Sequence, residues 1–416
     1  MILQVIGYLA PYNEVNYRIQ DSLYKTPFSS HALQQHFGEE VLIFAPKSLI
    51  EEYYENDPKL LEDKIREKKN NFDHFELAII PSIGEYEFKD RKVEYKNNFD
   101  NIVIAILLHL LKKNPERVLM DVSTGQNVYV FALIEAVRRY ATYRQLEKIL
   151  QGSDFIPRIA TYQPILRNIK EVKIEIGDFP TRPFFSLPQA DPDKLCKTGD
   201  REVKREAGEI GKKYHTLKSA FRLLQKEVTI GFNAIRYNTP LAFYELLKFD
   251  ANADEIEIGF SKLAHEFLEN EIPMDLKVFS NILFSIAMFR SFREFKSTLH
   301  MPSINEIGLK FQRVYTKADL DVNCNFLTRE LEEIKTRAEK RRMEIEQKRR
   351  VSLLELYKRE TCEGDEKFGS KDIKRNFFAH SGFLKEYTFV TIANGDFCLE
   401  WDKSKHKDIE NWLLNP

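Results

Sequence analysis

Cysteine is scarce and scattered. The four cysteines, Cys196, Cys324, Cys362 and Cys398, have none of the paired spacing that a zinc site or a disulfide framework needs, so reduced thiols in a reducing compartment are expected. Long apolar runs are missing too. The longest, Ile102 to Leu111, is interrupted by His109 and falls short of the roughly 20 residues that span a bilayer, so it predicts a buried helix and no membrane association. Met1 leads into an apolar strand with no basic stretch before it, and a cytoplasmic protein without a secretory signal is expected. An excess of charge of either sign is also absent. With 63 basic and 64 acidic residues the net charge is -1, so no global field draws the chain to nucleic acid, and any contact with RNA must come from local patches. Neither a Walker loop nor a Gly-x-Gly-x-x-Gly fingerprint occurs, which disfavours the usual mononucleotide and dinucleotide enzymes. Internal repeats and low-complexity tracts are lacking as well.

What remains is a soluble, globular composition over 416 residues, enough for two or three domains. Short apolar runs at Ile2 to Leu9, Glu40 to Ala45, Phe75 to Ile80 and Arg117 to Asp121 alternate with helical patterns at Ser29 to Phe37, 47 to 71, Asn98 to Lys113 and Asn127 to Leu150. Phe155 to Tyr162 and Glu171 to Ile176 look like further strands at the edge. This alternation predicts an α/β domain with a Rossmann-like, doubly wound sheet. Ligands of such sheets bind beyond the carboxyl ends of the strands, where the winding reverses. Three loops converge there: Leu9, Ala10, Pro11, Tyr12 and Asn13 in the first, Pro81, Ser82, Ile83 and Gly84 in the second, and Ser123, Thr124, Gly125, Gln126 and Asn127 in the third. The third runs from a strand through small hydroxyl residues into a helix start, whose free N–H groups favour an anion, phosphate above all. The alternative is that Ser123 or Thr124 only caps that helix. Ser29 and Ser30 either cap the first helix or contact the ligand, and capping is the preferred reading.

Pro180, Pro183, Pro188 and Pro192 fall between Gly177 and Gly199. Proline fixes φ and removes a donor, so a connector is expected there. The resulting division is 1–178, a Pro-rich linker 179–200, and a helical 201–416. Apolar stripes in the second half predict core or oligomer packing. Its His215, His265 and His300 have no partner spacing and are read as structural. The charged stretch from Glu330 to Lys358 predicts a solvated helical arm, with an RNA-guiding surface as the alternative. Asn394-Gly395, between Tyr387 to Ile392 and Phe397 to Trp401, predicts a β-hairpin.

The chemistry concentrates in Arg375, Asn376 and His380. A histidine exchanges protons near neutral pH, an arginine fork holds a phosphate and the charge that develops on it, and Asn376 one helical turn before His380 is placed to orient either. The alternative is a structural histidine flanked by Ile373 and Phe377. Arg-Asn-x-x-x-His near the end of a helical domain resembles the signature of HEPN ribonucleases, whose active site forms where two such domains meet.

The N-terminal half resembles the CARF domain of CRISPR-associated ancillary ribonucleases of type III systems. That likeness rests on the first strand with its Pro-Tyr loop and on Asp121-x-Ser-Thr-Gly125. The family commonly reads Asp-x-Thr-His-Gly here, so Ser123 stands at the Thr position and Thr124 at the His position. Together the two resemblances imply a homodimer or higher oligomer. They further imply a cyclic oligoadenylate activator, with cyclic tetra-adenylate expected, and single-stranded RNA as substrate. Cleavage would use Arg375, Asn376 and His380 without metal. A non-catalytic cyclic-nucleotide sensor or transcription regulator is the reading from another class, and a metal nuclease is disfavoured because no carboxylates cluster beside Arg375.

Overall fold

A computed structural model of the chain describes residues 1–6, 14–53, 57–67, 75–88, 91–123, 127–163, 171–181, 185–358 and 372–416. The N-terminal half carries, in chain order, β1 (Ile2–Val5), β2 (Val15–Ile19), β3 (Ser22–Thr26), α1 (Ser29–Phe37), β4 (Val41–Pro46), α2 (Lys47–Tyr53), α3 (Pro58–Glu67), β5 (Phe75–Ile80), β6 (Ile83–Phe88), β7 (Arg91–Lys96), α4 (Phe99–Lys113), β8 (Leu119–Asp121), α5 (Asn127–Leu146), β9 (Arg158–Tyr162) and β10 (Glu171–Asp178). Eight of these strands form one mixed sheet in the order β3-β2-β10-β9-β8-β1-β4-β5. The run from β5 to β9 is parallel, β10 turns antiparallel to β9, and the β2–β3 hairpin extends the sheet beyond β10. The two strands expected at the edge are therefore interior, because that hairpin covers them. The β6–β7 hairpin stands as a separate two-stranded sheet.

Burial explains the layering. Every residue of β1, β4 and β8 is buried, as parallel strands covered on both faces must be. The run predicted to be a buried helix is α4, whose Asn98 cap accepts from the Asn101 amide at 2.8 Å and whose αL terminus is Asn114. The chain winds to β4 and β5 on one side of β1 and to β8 and β9 on the other. The reversal lies between β1 and β8, with Gln4 paired in register to Asp121.

The second half is helical: α6 (Arg201–Lys213), α7 (His215–Arg236), α8 (Leu241–Glu245), α9 (Ala253–Glu269), α10 (Leu276–Ser297), α11 (Ile304–Lys317), α12 (Asp321–Lys340), α13 (Arg342–Lys348), α14 (Leu353–Tyr357), α15 (Ile373–Ala379) and α16 (His406–Leu414). A three-stranded sheet of β11 (Val351–Ser352), β12 (Thr388–Ala393) and β13 (Asp396–Trp401) completes it. The β12–β13 turn has Asn394 at φ 53° and Gly395 at φ 84°, the pair of positive angles that an Asn-Gly hairpin supplies. The charged arm is a correction. It breaks into α12, α13 and α14, and Leu327, Leu331, Ile334 and Ala338 bury a stripe of α12. Apolar residues are few there, but they recur at helical spacing.

The halves are bolted together by polar groups. Asn101 on α4 is fully buried, donates from Nδ2 to Ile272 O at 3.0 Å and accepts from Met274 N at 2.8 Å. Arg290 on α10 reaches Glu147 beyond α5 at 3.1 Å, Glu257 on α9 at 2.7 Å and Asp254 at 2.6 Å, and also donates to the Tyr143 hydroxyl of α5. α5 thus begins beside the switch point and ends in the helical half; at 1.5 Å per residue it is about 30 Å long.

Candidate active site and anion pocket

At the switch point the polar side chains turn inward. Asp121 is buried at the end of β8 and accepts from the Ser29 hydroxyl, from Gln4 Nε2 at 3.3 Å and from the Ser123 amide at 3.2 Å. Ser30 donates to Gln4 Oε1. Ser29 and Ser30 do not cap α1, whose N-cap is Phe28 with no side-chain bond; their hydroxyls tie α1 to the sheet. Burial pushes the Asp121 carboxyl up to about 6, against the pull of the Ser29 and Ser123 hydrogen bonds. Tyr162, at the end of β9, is raised by burial and then by Asp121, and its ring meets Tyr17 edge-on at 5.6 Å.

The structure describes the three predicted loops only in part. Leu9, Ala10, Pro11, Tyr12 and Asn13, and Thr124, Gly125 and Gln126, lie outside the described residues. Ser123 uses its hydroxyl to accept from Tyr162 N at 3.1 Å, so it clasps β9. Asn127 is exposed at the first position of α5. Ser82 is fully buried, accepting from Ser48 N at 2.8 Å and donating to Ser48 Oγ at 2.9 Å, which ties the loop after β5 to the start of α2. Pro81 and Ile83 are half-buried, and Gly84 is exposed in β6 at φ 92°.

The second cluster is built the other way round. α15 is short. Asp372 caps it by accepting from Arg375 N at 2.9 Å, and His380 closes it with its amide on Asn376 O at 3.1 Å. Ser381 then takes φ 54° and Gly382 donates to Phe377 O at 2.9 Å, a Schellman turn. Serine is an unusual choice for the left-handed position, and its hydroxyl is fixed by Asn238 Nδ2 at 2.7 Å. Trp401 Nε1 donates to Gly382 O at 2.9 Å, while Phe377 is buried between Trp401 and Trp412.

On this pinned turn Arg375 is exposed, Asn376 is half-buried, and His380 keeps 50% of its side chain exposed. Ile373 is also exposed, so the histidine is no core histidine. Its Nδ1 lies 3.4 Å from Glu330 Oε1 on α12. That hydrogen bond raises the His380 pKa against the opposing effect of burial. Glu330 is the residue that sequence reasoning missed, having placed it in a solvated arm.

Two family models match the chain. Residues 1–163 match the CARF domain, and residues 320–403 the HEPN domain, of the CRISPR system endoribonuclease Csx1. The chain belongs to the Csx1 family. The CARF match includes β1, β8, β9 and all three loops, and the HEPN match includes Glu330, Arg375, Asn376 and His380. The two matches leave 164–319 between them, so the linker and Arg290 itself belong to neither matched segment, although its partners Tyr143 and Glu147 lie in the first. No curated protein matches the chain.

Membership makes the protein a CRISPR-associated ribonuclease with a CARF sheet and a helical HEPN region that ends in a small hairpin. Among the described residues, no helix is long and apolar enough to cross a membrane, and no three His, Cys, Asp or Glu side chains gather as metal ligands do.

Proposed function

We propose that the protein is a cyclic oligoadenylate-activated, metal-independent endoribonuclease for single-stranded RNA, acting as a homodimer in type III CRISPR defence. Cyclic tetra-adenylate is the activator to test first. A ring with rotational symmetry suits a two-fold site between two CARF domains. Its phosphates would meet the α5 start and the loops after β1 and β8, including Thr124, Gly125, Gln126 and Asn127. Binding there favours the arrangement in which two HEPN domains bring their Arg375, Asn376 and His380 sets together. The ribose 2′-hydroxyl attacks its own phosphate, the 5′-oxygen leaves, and the products are a 2′,3′-cyclic phosphate and a 5′-hydroxyl. His380 exchanges the proton with one of those two oxygens, Arg375 holds the phosphoryl oxygens, and Asn376 orients the pair. The domain division at 179–200 is part of this reading.

The observation that carries it is the exposure of Arg375 and His380 on one short helix and its capping residue, anchored from behind by buried Phe377 and by a hydrogen-bonded following turn. α5 supports the control, since it spans from the anion pocket to the Arg290 hub. The test is a fluorescent RNA reporter in EDTA, with and without cyclic tetra-adenylate. Ligand-dependent cleavage that ends in a cyclic phosphate supports the proposal. Cleavage that requires divalent metal, or that ignores every cyclic oligoadenylate, rejects it.

A further inference from the structure

We propose that Glu330 is a positioning residue for cleavage. Its carboxylate holds the Nδ1–H of His380 and so leaves Nε2 as the nitrogen that exchanges a proton with the RNA. The inference rests on His380 being the proton-transfer group.

The geometry starts from α12. Its buried stripe of Leu327, Leu331 and Ile334 fixes the helix in the core, and Glu330, beside that stripe, is only 16% exposed. A carboxylate taken that far out of water needs a partner, and His380 Nδ1 at 3.4 Å supplies it. The neighbouring charges have other engagements. Glu333, one turn on, is paired with Arg337 at 3.0 Å, and Arg337 lies 4.0 Å from the centroid of the Tyr357 ring. Lys385, which follows the His380 turn, sits over the same ring at 4.3 Å. Among the described residues, Glu330 and Glu333 from α12 and Lys385 from the turn are the charged groups that face His380, and of these Glu330 hydrogen-bonds it.

A hydrogen bond on one ring nitrogen decides which nitrogen does the chemistry. With Nδ1–H directed to Glu330, the ring turns Nε2 to the opposite side, and the carboxylate steadies the imidazolium whenever Nε2 carries the proton. The sign of the pH effect follows. The carboxylate favours protonated His380, and that support is present below the ordinary histidine pKa and lost as pH rises through the raised one. Glu330→Gln removes it, so the limb of the cleavage profile that belongs to His380 moves to lower pH. The limb that moves also reveals the role: the alkaline limb if His380 gives a proton to the leaving 5′-oxygen, the acidic limb if it takes one from the 2′-hydroxyl.

The experiment uses the full chain. The His380 ring resonance is assigned by its disappearance in His380→Ala and titrated in wild type, Glu330→Gln, Glu330→Asp and Glu333→Gln, and the pH profile of activator-stimulated cleavage is measured for each. In Glu330→Gln the His380 midpoint falls and kcat drops by about 10- to 100-fold with KM little changed, part of the roughly 10²–10⁴ that proton transfer itself contributes. Glu330→Asp, which keeps the charge but shortens the reach, lies between that variant and wild type. Glu333→Gln shifts the midpoint less than Glu330→Gln. An unchanged His380 midpoint and profile in Glu330→Gln overturns the proposal. Full activity in His380→Ala overturns the functional reading instead, and the titration still shows whether the Glu330 pair exists.

Discussion

The CARF switch point and the HEPN turn treat their polar side chains in opposite ways. Around Asp121 the groups face one another and are buried: Gln4, Ser29 and Ser30 are closed into a set that holds β1, β8 and α1 in place. Around His380 the supporting Phe377, Ser381 and Trp401 are buried, while Arg375 and His380 themselves are exposed. A sensing site needs a rigid frame behind loops that meet the ligand. A cleavage site needs its chemistry exposed and its support hidden. Polar residues thus form a buried framework in one half and, on the proposed function, exposed reagents in the other, and burial is what separates the two uses.

The comparison breaks first at His380. His380→Ala should lower the cleavage rate about 10²–10⁴-fold while lowering thermal stability only slightly, because the side chain is half exposed and what the fold loses is chiefly the hydrogen bond to Glu330. The reporter assay and a melting curve on the same sample check both parts. A large loss of stability would place the histidine with the framework and cancel the contrast.

Asn101 tests the opposite kind of residue. It is fully buried at the junction of the halves and satisfies Ile272 O and Met274 N. Asn101→Ala leaves both without a partner, at a cost of about 2–4 kcal/mol, seen as a lower midpoint in urea. Coupling between activator and cleavage should weaken with it, because the 272–274 segment leads directly into α10, which carries Arg290. Wild-type stability in this variant would mean that the amide is not holding the halves.

Asp121 brings in pH. Its carboxyl titrates near 6 in the fold, above the unfolded value of about 4. The folded chain therefore binds this proton more tightly, and the contribution of this group to stability rises as pH falls from about 6 to about 4. Above pH 6 that gain is absent, and the buried charge costs on the order of 3 kcal/mol. Asp121→Asn should therefore compare better with wild type at pH 7 than at pH 5. A gap in melting temperature that stays constant across this range would deny the buried charge.

How far the chain could be read from its residues follows the same division. Features set by neighbours in sequence were legible: α1 and β5 match their expected bounds, the Asn394-Gly395 turn lies where its φ demands it, and Arg375 to His380 forms one surface turn. The β2–β3 hairpin was not, because it turns through Gln20-Asp21 with Gln20 at φ 54° and lacks the glycine that marks such turns. Long-range partners were hidden as well. Glu330 stands 50 residues from His380 in a stretch whose charge suggested solvent, and Gln4, Ser29 and Asp121 meet only once the sheet has formed. Spacing proposes a reagent, but only packing supplies its support.

The smallest effect sharpens the contrast within the HEPN region. Gly395, at the hairpin tip, takes φ 84° with nothing near the position of a Cβ, so Gly395→Ala costs backbone strain alone, about 1 kcal/mol. At its far end β13 carries Trp401, whose indole donates to Gly382 beside His380. The strain sits at one end of the ladder and the support at the other, six register pairs from Ala393–Asp396 to Thr388–Trp401. Gly395→Ala should therefore lower the urea midpoint slightly and leave cleavage at the wild-type rate, whereas Trp401→Phe, which removes the bond to Gly382, should lower the rate. Equal activity losses in the two variants would mean that the hairpin moves as one piece with the His380 turn, and that hidden support in this region extends to its tip.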